Sequence, residues 1–323
     1  MAKREVKSKK KVSVIIPFYK QTEAELALPL SSLYAQIGID MTQVDVHLVN
    51  DGGPTIDASK FAIFETLDLH LHELVENVGA GMARQYGIDH SEGEYLMFMD
   101  ADDVLNSSGV LLDFFNAAKQ GRHQVISMSY LEQMPDAKKG WLYKIHANQN
   151  NAGVYAKWFN RHFLEQERIR FAPELRIFED AYFIQTIFFV ATDIFYGNSL
   201  AYVWKSNEKS LTRDNGGAQT RKVDAFVLMN RLWLEFIQKR RPKELKAHFL
   251  PAVASIYLYY KLFSAADESA FWEELRKLIS EFLVYWTGYS ENLQKLTDQY
   301  EKAPSSFYKG VDTSDLKEFV EKI

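Results

Sequence analysis

A chain of 323 residues with 47% hydrophobic and 25% charged side chains has the composition of a globular protein, long enough for one elaborated domain or for a large domain with a smaller companion. Its net charge of −5 argues against binding nucleic acid through bulk electrostatics. The absence of cysteine excludes disulfides, thiolate metal sites and a cysteine nucleophile.

Residues 1–10 are basic and read as a disordered tail. No apolar run of signal-peptide or membrane-spanning length comes after them, so no transmembrane segment is expected. The expected compartment is the cytoplasm, with peripheral membrane contact as the variant. Val12–Ile16 is a β-branched run closed by Pro17 and reads as a buried strand. Residues 23–37 place Leu26, Leu30, Leu33 and Tyr34 at helical spacing, with Pro29 as a kink or an offset start. Val44–Val49 reads as a second strand, closed by the turn Asn50-Asp51-Gly52-Gly53-Pro54, and His70–Leu74 as a short third. Gly79-Ala80-Gly81 opens a helix that runs through Met82, Ala83, Tyr86 and Ile88. Tyr95–Met99 is the next strand, and a helix succeeds it over 108–120. This rhythm predicts an α/β fold with a Rossmann-like, mainly parallel sheet.

Farther along, 124–130 reads as a strand, 131–153 as a polar surface loop and 155–166 as a helix. Glu179-Asp180 begins an aromatic-rich helix, and 194–204 returns to strand character. Beyond Asn215-Gly216-Gly217 the pattern is helical over 220–240, 244–264, 267–286, 289–302 and 313–322. A domain over 11–215 is therefore expected to precede an all-helical C-terminal subdomain over 216–323. Trp233, Trp272 and Trp286 read as seam residues between helices rather than sugar platforms.

The densest chemistry lies in Met99-Asp100-Ala101-Asp102-Asp103, where a buried strand ends in three carboxylates. Acids also cap helices and shape turns, so the cluster alone is weak. In a parallel sheet, however, the ends of successive strands share one edge, the place where ligand crevices form. That edge would gather Pro17 and Tyr19 after the first strand and Asp51 after the second, where a carboxylate suits a base or ribose. It would also gather Arg84 behind Gly79 and Gly81, and the Asp100/Asp102 pair, whose hard oxygens suit Mg²⁺ or Mn²⁺.

Taken in this order, Val12-Ser-Val-Ile-Ile-Pro-Phe-Tyr19, Leu48-Val-Asn-Asp-Gly-Gly53, Glu76-Asn-Val-Gly-Ala-Gly-Met-Ala-Arg-Gln85 and Gly93-Glu-Tyr-Leu-Met-Phe-Met-Asp-Ala-Asp-Asp103 resemble the motifs of the inverting, GT-A-fold glycosyltransferases of family 2, over about residues 11–215. Gly153–Leu164, Ile169-Arg-Phe171 and Phe178-Glu-Asp180 are similar to that family's acceptor-side segment. The resemblance implies a nucleotide-sugar donor, most often a UDP-sugar, and a Mn²⁺ or Mg²⁺ cofactor held by Asp102. Asp100 would serve the ribose side or a metal-bound water, and Asp103 would cap the segment after it. Pro17, Tyr19, Asp51 and Arg84 would line the donor site. Asp180 would be the general base toward a hydroxyl acceptor, with Glu179 beside it on the acceptor side.

The implied acceptor is a polysaccharide, teichoic-acid or glycolipid precursor. Transfer to protein or to modified DNA bases, and a non-catalytic nucleotide-sugar-binding relative, are the alternatives; nucleic acid is a minority partner. Nucleotidyl transfer to a sugar phosphate would want a glycine-rich loop after the first strand, and Pro17–Glu25 has no glycine. One departure from the family pattern stands out: Asn207 occupies the place of a histidine before Ser210 and Thr212. That puts a third protein ligand to the metal in doubt and leaves Lys205, Lys209 or Arg213 for phosphate.

Overall fold

All seven residues of Val12–Phe18 (β1) and of Val44–Asn50 (β2) are buried, the mark of strands covered on both faces. The protein is described from a computed structural model, for residues 10–206, 223–263, 265, 267–303 and 306–323. It divides into two compact units, Met1–Asn207 and Glu208–Ile323. The tail residues 1–9 and the boundary expected at residue 216 lie outside the described residues.

The first unit continues β1 with α1 (Glu23–Tyr34), β2, β3 (Asp68–Glu73), α2 (Ala80–Asp89), β4 (Tyr95–Phe98), β5 (Val104–Leu105) and α3 (Val110–Gln120). It ends with β6 (Val125–Asp136), β7 (Gly140–His146), β8 (Lys157–Asn160), α4 (Arg161–Gln166), α5 (Glu179–Val190) and β9 (Ile194–Trp204). The sheet order is β3-β2-β1-β4-β8-β6-β9-β5, with β7 paired to β6. The α/β class is as expected. The β3-β2-β1-β4 half is parallel, whereas β8 runs antiparallel to both β4 and β6, so the whole sheet is mixed.

Pro17 does not end β1, which runs on to Phe18. The β1–β4 register stops at Ile15 and Phe98, and the Met99 N–H donates to Ile15 O. The donor that Pro17 lacks would fall past that ladder, where its loss costs nothing. Pro29 sits inside α1, whose start is fixed instead by a capping box between Thr22 and Glu25.

Two expectations are corrected. Residues 131–153 are not a loop: β6 extends to Asp136 and pairs with β7 as an antiparallel hairpin. The turn signals Pro135 and Gly140 mark its end, with Gly140 at φ +76°. Residues 155–166 are not one helix. Lys157–Asn160 is a fully buried strand in which Trp158 stacks on Phe114. The aromatic spacing looks helical, but α4 starts only where the Asn160 side chain accepts from the Phe163 N–H.

The second unit contains α6 (Val223–Arg240), α7 (Leu245–Leu262), α8 (Glu268–Glu281), α9 (Glu291–Lys302) and α10 (Leu316–Glu321). Trp233, Phe249, Tyr257, Phe271 and Leu275 are buried in it. Arg231 ties α6 to α8 through Glu274 and Glu281. Trp272 and Trp286 are half-buried against Phe319 and Phe249, as seam residues would be. Among the described residues no helix is long and apolar enough to cross a membrane.

Candidate active site

The carboxyl edge of β1, β2 and β4 gathers the residues the sequence singled out, through a chain of close contacts. The turn after β2 passes so near the turn after β1 that a Cβ at Gly53 would stand 1.4 Å from the Tyr19 carbonyl oxygen. Only glycine fits there. Tyr19 is exposed at this mouth, and Pro17 is buried behind it. Asp51 is buried, and its two carboxylate oxygens accept the N–H groups of Val78 and Gly79 at 2.7 and 2.9 Å. It therefore ties the β2 turn to the start of α2. Burial pushes its carboxyl above the ordinary range, against those two hydrogen bonds.

Arg84 on α2 is the hub. Its guanidinium is 6% exposed and reaches Asp100 Oδ1 at 2.7 Å and Glu179 Oε1 at 3.1 Å. Burial alone would make it easier to deprotonate, but Asp100 and Glu179 overcome that and hold it above its ordinary value. The close approach of α2 and α5 depends on Gly81, where a Cβ would lie 2.6 Å from Glu179 Cγ. Phe178, just before α5, adopts a left-handed φ of 64°, an uncommon conformation for a bulky residue, and a kind of strain that tends to occur at functional positions. From that turn the chain delivers Glu179 to Arg84 and leaves Asp180 partly exposed.

Asp180 Oδ1 accepts the Ala181 N–H at 2.7 Å. Desolvation, followed by the negative charge of Glu179, pushes its carboxyl up to about 7 although Arg84 pulls the other way. A carboxyl poised there can take a proton near neutrality.

Asp103 departs from its expected role as a cap. It is fully buried and accepts the Tyr202 O–H at 2.7 Å and the Lys205 N–H at 2.7 Å. Tyr202 in turn accepts the Asp100 N–H at 3.0 Å. Burial, then the charges of Asp100 and Asp102, push the Asp103 carboxyl well above the ordinary carboxylate range. Tyr202 is the residue that sequence reasoning missed: its hydroxyl fixes both the backbone and the last acid of the cluster from β9, 99 to 102 positions away. Arg176 was missed as well, and its guanidinium donates to the backbone and side-chain oxygens of Asn77. Aromatic runs in β9 and a lone arginine between two helices gave no signal of either contact.

Asp100 and Asp102 offer partly exposed carboxylate oxygens at the end of β4, a donor set of the hard type that Mg²⁺ and Mn²⁺ prefer. Asn207, Lys209, Ser210, Thr212 and Arg213 lie outside the described residues.

Comparison with known proteins falls on the same part of the chain. The family described as Glycosyl transferase family 2 matches residues 13–195. The glycosyltransferase EpsJ of Bacillus subtilis is 23% identical over 220 residues, which is 62% of this chain and 62% of that protein. The poly(ribitol-phosphate) beta-N-acetylglucosaminyltransferase TarP of Staphylococcus aureus is 29% identical over 192 residues, 54% of this chain and 56% of its own length. The crystal structure of S. aureus TarS 1-349 in complex with UDP-GlcNAc is similar with a TM-score of 0.67 at 20% identity, over 90% of this chain and 85% of that one. This last likeness shows the GT-A fold. The chain spans less than two thirds of the length of the relatives EpsJ and TarP.

Proposed function

Because this chain belongs to glycosyl transferase family 2, we propose that it is an inverting, divalent-metal-dependent transferase that moves a sugar from a UDP-sugar to a hydroxyl of a teichoic-acid-like or other cell-surface polymer precursor. The single observation that carries the reading is the Arg84 hub, which spans Asp100 on the donor side and Glu179 on the acceptor side and leaves Asp180 beside it with a carboxyl near pH 7. The UDP-GlcNAc in TarS and the poly(ribitol-phosphate) acceptor in the name of TarP support the donor and the acceptor class.

In the proposed reaction an acceptor hydroxyl lies against Asp180. As the hydroxyl oxygen bonds to the anomeric carbon, its proton passes to Asp180 Oδ. The bond from that carbon to the diphosphate oxygen breaks on the opposite face and leaves its electron pair on the diphosphate. One displacement inverts the centre. Asp102, with Asp100, would hold the cation, which when bound neutralises charge on the diphosphate. Arg84 keeps Asp100 and Glu179 oriented, so the two halves of the site cannot drift apart. Asp51 and Tyr19 form the nucleoside side, with Pro17 shaping the wall behind them.

A panel of nucleotide sugars tests this reading through thermal shift and turnover. A UDP-sugar should raise Tm more with Mn²⁺ than without it and should be consumed in the presence of a polyol-phosphate acceptor. Stabilisation by every donor regardless of metal, with no consumption, would contradict it.

A further inference from the structure

The parallel pairing of β2 with β3 places Asp45 opposite Asp68 and His47 opposite His70. Side chains two apart on a strand share a face, so Asp45 and His47 line up beside Asp68, His70 and His72 on one side of the sheet. The rings confirm the alignment: His47 stacks on His70 at 4.8 Å and on His72 at 5.2 Å between centroids. Asp45 and Asp68 lie at the amino ends of their strands and His47 at the middle of β2. His47 is four residues before Asp51, about 13 Å along a strand, so the cluster stands apart from the carboxyl-edge site.

Two of its buried members each leave one side-chain atom without the hydrogen bond that buried polar atoms normally find. Asp45 is 4% and His47 2% exposed, and Asp45 Oδ1 and His47 Nε2 accept or donate no hydrogen bond. Nε2 faces Asp45 Oδ2 at 3.2 Å. The other nitrogen of His47, Nδ1, is engaged with His72 Nε2 at 2.9 Å. When an ion takes the place of the proton between Nε2 and Asp45, an N–H at Nδ1 donating to His72 would present the Nε2 lone pair, the tautomer that a metal-binding imidazole takes when an outer partner fixes its ring. Asp68 Oδ1 stands 3.2 Å from His70 Nε2, and Asp68 Oδ2 is held by Lys10 at 2.6 Å.

We propose that Asp45, His47 and His70 form a cation site on the β2–β3 face, distinct from the Asp100/Asp102 edge, that takes a borderline divalent ion of the zinc class. Their ligand atoms already lie within 4.8 Å of one another. Ligands at about 2.0–2.2 Å around tetrahedral zinc stand about 3.4 Å apart, so closing the site requires the half-exposed His70 ring to turn out of its stack on His47. Two imidazoles and one carboxylate suit zinc over Mg²⁺, which favours all-oxygen sets. Such an ion would clamp the edge strand β3 to β2 and satisfy both orphaned atoms. His72 and Asp68 act as positioning residues, through His47 and His70.

The test is a zinc titration of the full chain, freed of any affinity tag and stripped with chelator, read by calorimetry and by the visible spectrum of the Co²⁺-substituted protein. One Zn²⁺ should bind per chain. His70→Ala, at a side chain 45% exposed that the fold tolerates, should weaken it by at least about 100-fold, and His72→Phe by the roughly 10–100-fold typical of an outer partner. Asp102→Asn should leave the zinc affinity unchanged. Absence of binding in the wild-type chain, or binding that survives His70→Ala, would overturn the proposal. Neither result bears on the glycosyl-transfer reading.

Discussion

Two acidic clusters meet at Arg84, and they differ in what they leave over. From each cluster Arg84 takes one carboxylate, Asp100 from the end of β4 and Glu179 from the start of α5. The neighbour that Arg84 does not bind, Asp103 in one cluster and Asp180 in the other, is pushed upward by burial. Asp103, however, is sealed inside and clamped by Tyr202 and Lys205, whereas Asp180 is partly exposed and bonded to its own helical turn. The same push thus yields a structural acid where solvent is shut out and, in the proposed reaction, a proton acceptor where a ligand can reach. Accessibility, rather than the size of the shift, separates the two roles.

The comparison is broken first by exchanging each acid for its amide. Asp180→Asn should lower turnover by about 10²–10⁴-fold, the usual share of a general base, while nucleotide binding by thermal shift is kept. Asp180→Asn that still turns over at the wild-type rate would place the base elsewhere. Asp103→Asn should do the reverse. It sets an amide N–H against one of two donors and costs about 1–3 kcal/mol in urea unfolding, with loss of rate only in proportion to the folded fraction.

Arg84→Met tests what joins the clusters. It strips the partner from two carboxylates, and breaking a buried pair this way costs about 3–5 kcal/mol. The lower part of that range is expected because Asp100 is 33% exposed. An unchanged urea midpoint would show that the hub contributes no stability. Tyr202→Phe is milder, about 1–3 kcal/mol, because it removes one hydroxyl that serves Asp103 and the Asp100 N–H.

A smaller effect distinguishes stability from activity. Folded Asp180 keeps its proton after the unfolded chain has released one in the ordinary carboxylate range. Its contribution to stability therefore falls as pH rises from that range to about 7 and is level above it. The base form increases over the same window, and in the proposed reaction the rate should increase with it. Urea midpoints measured against pH should show part of this fall disappearing in Asp180→Asn.

The sequence made the parallel half of the sheet readable because β1 and β4 are short apolar runs, β2 sets Val44, Val46 and Leu48 at alternate positions, all three end at turn residues or acids, and the strand-end residues share an edge by topology alone. The hairpin of β6 and β7 was misread because the turn signals Pro135, Gly140 and Asn148 to Asn151 outweighed Trp141, Leu142, Tyr143 and Ile145, apolar residues that β7 leaves exposed. β8 was misread because four buried residues next to a helix carry no period of their own. The Arg84–Glu179 and Asp103–Tyr202 contacts join residues 95 and 99 apart. The family resemblance implied that the first pair would serve one site, Arg84 on the donor side and Glu179 on the acceptor side. Nothing local announced the second, since a tyrosine in a strand is ordinarily a packing residue.

The central claim is that burial tunes Asp180 to act as the base, and the pH dependence of kcat/KM with a UDP-sugar donor tests it most directly. The account predicts a rate that climbs with pH through a single ionisation at about 7 and then levels off. A profile that is flat through that window, or one that falls as pH rises, would contradict it.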